Sequence, residues 1–150
     1  MKNKALFDKI AYVPQEIDLF GYMSVAENLF IPYEKSGIKG TVNQKEIEER
    51  AIPILEKFSI PVKPNELVKD ISISSQQLLQ IARATVHEDY EVLMLDEPTT
   101  SLTSRDTEIL FDIVEKIRKE NKAIIFISHK LEEIFQLADV ITVFRNGKKV

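Results

Sequence analysis

The amino-acid sequence predicts an α/β domain built on a parallel sheet. Between residues 91 and 144, short apolar runs alternate with amphipathic segments, which is the order of strands and crossover helices in such sheets. The runs 91–95 and 123–127 are almost wholly apolar. Strands of this composition are typical of sheets whose two faces are both covered, so we expect both runs to be buried.

Two further segments are predicted to be strands. Ile10–Val13 is an apolar run stopped by Pro14, and Val140–Phe144 is an apolar run that ends just before Asn146-Gly147. The Asn-Gly pair predicts a tight hairpin turn. Because only three residues follow that turn, we expect a chain that is cut short.

Helix starts are marked by two capping-box spacings, Ser24 to Glu27 and Thr103 to Asp106. Apolar residues at helical spacing predict helices after both boxes and also over 43–58, where Pro53 is expected to introduce a kink. Two more helices are predicted, one from about Ser75 to His87 and a short amphipathic one over 131–138.

Composition narrows the function classes. A chain of 150 residues that is 44% hydrophobic is long enough for one compact domain with its own core. The net charge of -4 comes from 20 basic and 24 acidic residues that are scattered along the chain, so nucleic-acid binding is not indicated. Absence of cysteine excludes disulfides, and two histidines make a zinc cluster a poor explanation. No run approaches the roughly 18 apolar residues of a membrane span, so we expect any membrane association to require a partner.

Two carboxylates, Asp96 and Glu97, follow the buried run that begins at Val92. Ligands bind at the carboxyl ends of strands in open α/β sheets. In phosphoryl-transfer ATPases the first acid of such a pair holds the magnesium shell, and the second polarises the attacking water. The alternative is a polar strand end that enters a loop.

Ser128 and His129 follow the next strand at the same edge, where an imidazole could reach a phosphate near Glu97. A capping serine beside a solvated histidine is the alternative for this pair taken singly. The segment Ile71–Gln77 precedes a helix, so its hydroxyls and the helix-start amides could bind an anion or simply cap the helix. Gln15, directly after Pro14, is by itself an ordinary loop glutamine.

Together these segments resemble the ATPases of the ATP-binding cassette (ABC) family. Leu95–Thr103 resembles the Walker B motif and D-loop, and Ile127–Lys130 resembles the segment of the switch histidine. Tyr12–Gln15 resembles the Q-loop, Ser24–Asn28 the helix after it, and Ile71–Ala84 the signature motif with its helix. The five motifs stand in the family's order and cover nearly the whole chain. The amino-acid sequences of the segments that begin at Ser24 and Ser128 are most similar to those in the ATPases of importers of ribose and other monosaccharides.

The resemblance implies a role for each site residue. Glu97 and His129 would be catalytic, because Glu97 would activate water and His129 would contact the terminal phosphate. Asp96 and Gln15 would serve the metal, and Gln15 would also couple the site to a membrane subunit. The implied cofactors are ATP and Mg²⁺. The residues that would bind the nucleotide and its metal are Gln15, Ser72, Ser74, Ser75, Gln76 and Asp96.

The fold implied by the family is a P-loop NTPase (RecA-like) sheet, here over residues 1–20 and 89–150, with an inserted ABC-type helical subdomain over 21–88. The signature motif departs from the family, which usually has glycines at Ile73 and Ser74 and a glutamine at Ser75.

The phosphate loop of this family, Walker A, is missing from the sequence. Such a loop needs glycines spaced ahead of Lys and Ser/Thr. The four glycines do not fit, and Gly37–Thr41 lacks the lysine. We therefore expect an incomplete sheet without an upstream unit of roughly 30 residues or more.

Two functional hypotheses follow. In the first, the chain belongs to the ATP-binding and ATP-hydrolysing subunit of an ABC sugar importer and is inactive alone. In the second, it is a truncated, non-catalytic module that associates through its helical lobe or sheet edge. A relation to DNA-repair and chromosome-maintenance ATPases is weaker, since no sustained heptads occur between Gln15 and Ser72.

The expected partners are permease membrane subunits and a second ABC ATPase domain, at the cytoplasmic face of the cell membrane. Loss of the Walker A strand would expose edges beside the strand 123–127, so a self-dimer or strand swap is also expected.

Overall fold

The structure is a computed structural model that describes residues 9–30, 43–86 and 89–150. The segment Gly37–Thr41 and the expected helix end at His87 lie outside these ranges. The elements in chain order are β1 (Ile10–Val13), α1 (Val25–Phe30), α2 (Gln44–Lys57), a 3-10 turn (Val68–Asp70), α3 (Ile73–Thr85), β2 (Val92–Asp96), α4 (Ser104–Lys119), β3 (Ala123–Ile127), α5 (Leu131–Leu137), β4 (Phe144–Arg145) and β5 (Lys148–Lys149).

The predicted parallel sheet is confirmed. Its three strands run in the order β1-β2-β3, and Leu95 lies opposite Val13 on one side and Phe126 on the other. The carboxyl ends of all three strands therefore meet at one edge. The pairing of β2 with β3 also continues past the strand, because the Glu97 N–H donates to the Ile127 carbonyl at 3.0 Å.

Only one face of the sheet is covered by the described residues. Val13, Leu93 and Leu95 are fully buried, and the Phe126 ring packs edge-on against Phe111 of α4 with ring centroids 6.3 Å apart. On the opposite face Tyr12 is 51% exposed and Ile125 is 45% exposed. The expectation that 91–95 and 123–127 are buried on both faces is therefore wrong for the part of the chain that is described.

Both capping boxes form as predicted. The Ser24 N–H donates to the Glu27 carboxylate at 2.7 Å, while the Glu27 N–H donates to Ser24 Oγ at 3.1 Å. At the start of α4 the Asp106 N–H donates to Thr103 Oγ1 at 3.2 Å. Caps of this kind stabilise a helix by about 1 kcal/mol each.

The helices otherwise lie close to their predicted positions. Helix α2 is continuous through Pro53 and buries Ile47, Ala51 and Leu55, as its periodicity predicts. Helix α3 begins two residues before the predicted start at Ser75, because the Ser72 side chain caps it.

The region after β3 differs most from prediction. The segment 140–143 is not a strand, and Phe144–Arg145 instead pairs antiparallel with Lys148–Lys149 around the predicted Asn146-Gly147 turn. Helix α5 forms, but its apolar side is only partly covered: Leu131 is 67% exposed and Phe135 is 72% exposed, whereas Leu137 packs against the core. Apolar periodicity identified the helix, while burial of Leu131 and Phe135 depends on a partner surface that the described residues do not supply.

No helix in the described ranges is both long enough and apolar enough to cross a membrane.

Among the described residues, one apolar face of the sheet is open and β3 is an edge strand, which predicts that the chain self-associates. We expect light scattering of the purified chain at high concentration to show dimers or larger species, because exposed edges and apolar faces pair with other chains. Ile125→Lys places a charge on this face and should lower the apparent mass. Ile52→Lys, at an equally exposed position on α2, is the matched control and should leave the mass unchanged. A wild-type chain that stays monomeric would contradict the prediction.

Candidate functional site

The residues singled out at strand ends meet at the carboxyl edge of the sheet. Gln15 follows β1, Asp96 is the last residue of β2 with Glu97 directly after it, and His129 follows β3. This juxtaposition follows from parallel pairing, since the register places Val13, Leu95 and Phe126 side by side. An open sheet binds ligands at such an edge.

Glu97 adopts an unusual backbone conformation. Its φ of 48° lies in the left-handed region, which costs a non-glycine residue about 1–3 kcal/mol. Three hydrogen bonds hold the turn. The Glu97 N–H donates to the Ile127 carbonyl, and the Glu97 carbonyl accepts from the Thr100 N–H at 3.3 Å and from the Thr100 hydroxyl at 3.1 Å. Strain that the surrounding structure maintains in this way is frequent at functional sites.

The Glu97 carboxylate is in direct contact with His129. The Nδ1 atom of His129 lies 2.8 Å from each of the two carboxylate oxygens of Glu97. The glutamate side chain is 16% exposed, whereas the histidine side chain is 72% exposed. A shielded carboxylate thus sits against an imidazole that a ligand can reach. Such a pair can accept a proton from water and donate a hydrogen bond to an anion.

Asp96 has a different neighbour. The Tyr12 hydroxyl donates to the Asp96 carboxylate at 3.4 Å, a long hydrogen bond. Desolvation and the charge and hydrogen bond of Asp96 raise the pKa of Tyr12 above its usual value. Gln15 is exposed in the bend after β1, and in the described ranges its side chain makes no hydrogen bond.

The donor set at this edge fits magnesium better than a metal that needs a protein cage. The described residues contain no group of three or more His, Cys, Asp and Glu side chains placed to hold a metal. Mg²⁺ usually keeps several waters and is bound by one or two carboxylates together with phosphate oxygens. Asp96, with the amide of Gln15, is compatible with that mode of binding.

The segment that resembles the signature motif is held mainly by its own hydrogen bonds. Ser72 Oγ accepts from the Ser75 N–H at 3.1 Å and donates to Ser75 Oγ at 2.9 Å. The Gln76 amide donates to the carbonyls of Val68 and Ile71, both at 3.1 Å. Ser72 therefore caps α3, as in the alternative interpretation of this segment, while the Ser75 and Gln76 side chains bond to neighbouring residues.

Ser74 is the one member of this segment whose side chain contacts the segment after Glu97. Its hydroxyl donates to the Ser101 carbonyl at 3.4 Å. Nearby, hydrogen bonds, first from Thr103 and then from Ser74, lower the pKa of Asp106. Ser74 thus connects the start of α3 with the start of α4.

Gln80 is a site residue that was not predicted. Its buried side chain donates from Nε2 to the carbonyls of Pro14 and Glu16, at 3.1 and 3.2 Å, and accepts from the Asp18 N–H. These bonds fasten the loop that carries Gln15 to helix α3. One signal was available in the sequence, since Gln80 interrupts the apolar run that begins at Leu78 and resumes at Ile81.

Glu133 on α5 is a second residue that was not predicted. It is 7% exposed and accepts hydrogen bonds from the hydroxyls of Thr99 at 2.9 Å and Ser128 at 2.8 Å. The Lys130 ammonium lies 3.0 Å from its other oxygen. Burial opposes ionisation of Glu133, but these three donors outweigh it and hold its pKa below the usual value. In the sequence Glu133 is the second residue of the pair Glu132-Glu133, and nothing distinguishes it from its neighbour.

Comparison with known proteins identifies the family. The model of the family described as "ABC transporter" matches residues 1–100. The chain therefore belongs to the ABC transporter family. A solved structure of a dimeric, post-hydrolysis state of an ATP-binding cassette bound to ADP and Pi is also similar, with a TM-score of 0.71 and 24% identity. That alignment covers 87% of this chain and 56% of the other, and it supports the same fold.

Among curated proteins, the chain is similar to sugar-import proteins. It is 38% identical over 146 residues, 97% of the chain, to the putative ribose/galactose/methyl galactoside import ATP-binding protein 1 of Burkholderia cenocepacia. It is 38% identical over 140 residues, 93% of the chain, to the ribose import ATP-binding protein RbsA of Clostridium perfringens. The chain spans 28% of the length of each of these relatives.

Gln80→Leu is predicted to loosen the loop 14–18 without disrupting α3. The change removes three hydrogen bonds, so amide exchange at Asp18 should become faster, and the free energy of unfolding should fall by about 1–3 kcal/mol. Hydrogen exchange followed by NMR, with chemical denaturation, measures both effects.

Gln77→Leu is the matched control. Gln77 is buried on the same helix, and in the described part of the chain neither of its amide atoms has a hydrogen-bond partner. This change should leave exchange at Asp18 unaltered. If amide exchange at Asp18 became equally faster in both variants, the hydrogen bonds of Gln80 would not be what fixes the loop.

Proposed function

We propose that the chain is part of the ATP-binding and ATP-hydrolysing subunit of an importer for ribose, galactose or a related sugar. The observation that carries the proposal is the contact between Glu97 and His129 at the carboxyl edge of the sheet. Membership of the ABC transporter family and the similarity to ribose and galactose import proteins support the choice of substrate class.

The geometry is consistent with different roles for the side chains of Glu97 and His129. Glu97 is shielded and acts as the acceptor that orients and polarises the attacking water. His129 is exposed and contacts the terminal phosphate, where its hydrogen bond stabilises negative charge. The 2.8 Å contact between them holds the two side chains together in the absence of a ligand.

Asp96 and Gln15 are proposed to hold the hydrated metal ion. Magnesium, when bound with ATP, supplies charge neutralisation at the phosphate oxygens. The chain's own contribution is to place the Asp96 carboxylate at the end of β2, beside the Tyr12 hydroxyl, and to present Gln15 from a loop that Gln80 fastens.

The start of α3 is proposed to face the nucleotide of a second ATP-binding domain. Ser72, Ser74, Ser75 and Gln76 would act there through the backbone amides and the geometry of the helix start, since three of these side chains are engaged in local hydrogen bonds. We assign residues 1–20 and 89–150 to the RecA-like lobe and 21–88 to the helical subdomain, which would contact the permease at the cytoplasmic face of the membrane.

The chain by itself is proposed to be inactive. The 150 residues contain no sequence of the phosphate-loop type, whose amides and lysine cradle the phosphates. The open sheet face around Tyr12 and Ile125 supports the idea that a further segment packs there in a longer protein.

The alternative is a non-catalytic module that folds without nucleotide and associates through its helical lobe or sheet edge. It is favoured by the side chains of Ser72, Ser75 and Gln76, which are satisfied by contacts within the chain.

Titration of Mg-ATP into isotope-labelled chain, followed by NMR, separates the two functions. We expect weak binding, with chemical-shift changes concentrated at Gln15, Asp96, Glu97 and His129, and turnover below about 0.1 per second in a radiolabelled ATPase assay. His129→Ala should reduce the shifts at Glu97. The chain's other histidine offers the matched control, and His87→Ala should leave them unchanged.

Absence of any shift at these residues with millimolar Mg-ATP would contradict the proposed site. Turnover of about 1–10 per second would contradict the inactivity of the isolated chain.

A further inference from the structure

We propose that Glu133 is a positioning residue that joins the loop carrying Glu97 to the loop carrying His129. The importance of this role rests on the proposed function, in which Glu97 and His129 act together. Hydrogen bonds from both loops converge on the buried Glu133 carboxylate.

The first loop is held through Thr99, two residues after Glu97. The Thr99 side chain is almost fully buried, and its hydroxyl donates to Glu133 Oε2 at 2.9 Å. Because the turn between Glu97 and Thr99 contains only Pro98, fixing Thr99 leaves the Glu97 backbone little freedom. The left-handed φ of Glu97 is thus supported on one side by the Ile127 carbonyl and on the other by Glu133.

The second loop is held through Ser128, the residue before His129. The Ser128 hydroxyl donates to the same oxygen, Glu133 Oε2, at 2.8 Å, and accepts from the Lys130 N–H at 3.1 Å. His129 therefore lies between two residues that are tied to the carboxylate. One oxygen atom of Glu133 receives both loops, so displacement of either loop breaks a bond within a buried network.

Lys130 closes the network. Its ammonium lies 3.0 Å from Glu133 Oε1 and donates to Thr99 Oγ1 at 3.2 Å. The carboxylate is thereby matched by a positive charge and two hydroxyl donors, which is the condition for a buried acid to remain ionised. Thr99, which is 34 residues away in sequence, and the segment of Ser128 and Lys130, which precedes α5, thus share this one anion.

The surroundings of α5 indicate that the carboxylate is not incidental to apolar packing. Glu133 is buried, whereas Leu131 and Phe135 of the same helix are exposed, and Leu137, the last residue of α5, packs against the core. Beside the two loops, the polar contacts of Glu133 therefore contribute to the position of α5. A residue that served only packing would be replaced well by an apolar side chain of similar size, but a positioning residue would not.

Glu133→Gln tests the proposal in the full 150-residue chain without nucleotide. The substitution keeps the size of the side chain but leaves one acceptor oxygen instead of two. The NH₂ group must then face either the two hydroxyls or the Lys130 ammonium, none of which can donate to it. We expect the ring carbon–proton signal of His129, recorded at one fixed pH, to shift and broaden. The neighbouring exposed Glu132→Gln is the matched control and should leave this signal in place.

Two further variants keep the test valid if Glu133→Gln fails to fold. Ser128→Ala should move the His129 signal, and Thr99→Val should move the amide signals of Glu97 and Thr100, while Thr99→Ser should restore them. Core signals from Leu93 and Leu95 should be unaffected in every folded variant.

The proposal is overturned if Glu133→Gln, Ser128→Ala and Thr99→Val fold and leave the signals of His129 and Glu97 where Glu132→Gln leaves them. Since no ATP is present, these outcomes do not depend on the Mg-ATP titration. Failure of that titration together with a displaced His129 signal would refute the ATPase assignment and leave the positioning role intact.

Discussion

The parallel pairing of β2 with β3 is the interaction on which the rest of the site depends. The ladder runs from Val92 opposite Ala123 to Asp96 opposite Ile127, and one more bond joins the Glu97 N–H to the Ile127 carbonyl. That last bond places Glu97 beside Ile127, the residue from which the loop that carries His129 begins. A shift of register by one residue would turn every side chain of β2 to the opposite face and separate the two groups.

Polar side chains from helices, rather than apolar contacts, fix the loops around this edge. Gln80 of α3 fastens the loop of Gln15, and Glu133 of α5 joins the loops of Glu97 and His129. Asn28 of α1 plays a similar part, because its buried amide accepts from the Phe20 N–H at 2.8 Å and donates to the Phe20 carbonyl at 3.0 Å. Each satisfies backbone or hydroxyl groups that would otherwise lose hydrogen bonds on burial. Precise loop geometry can thus be maintained beside a sheet whose second face is left uncovered by the residues that the structure describes.

Local patterns were sufficient to predict most of the elements and the residues at the strand ends. The short apolar runs predicted β1, β2 and β3, and the Ser24 and Thr103 boxes predicted two helix starts, because these signals depend on neighbours in sequence. They failed where the outcome depends on a distant surface. Val140–Phe144 has the composition of a buried strand, but in the described part of the chain Val140, Ile141, Val143 and Phe144 are all exposed.

The same distinction separates the predicted site residues from those that were missed. Asp96, Glu97 and His129 follow apolar runs and match family motifs, so their position could be inferred from order alone. Glu133 is recognised only when Thr99 and Ser128, 34 and 5 residues away, are seen to donate to it. Ser72 is the opposite case. The motif match picked it out as a site residue, but only the structure shows that its hydroxyl caps α3.

Hydrogen exchange at the Glu97 amide measures whether the β2–β3 pairing fixes Glu97 beside His129. If the β2–β3 pairing extends through Glu97 to the Ile127 carbonyl, this amide should exchange nearly as slowly as those of Leu93 and Leu95 in the middle of the sheet. Exchange at the rate of an unprotected loop amide, with Leu93 and Leu95 still protected, would contradict the account, because Glu97 would then not be fixed beside His129.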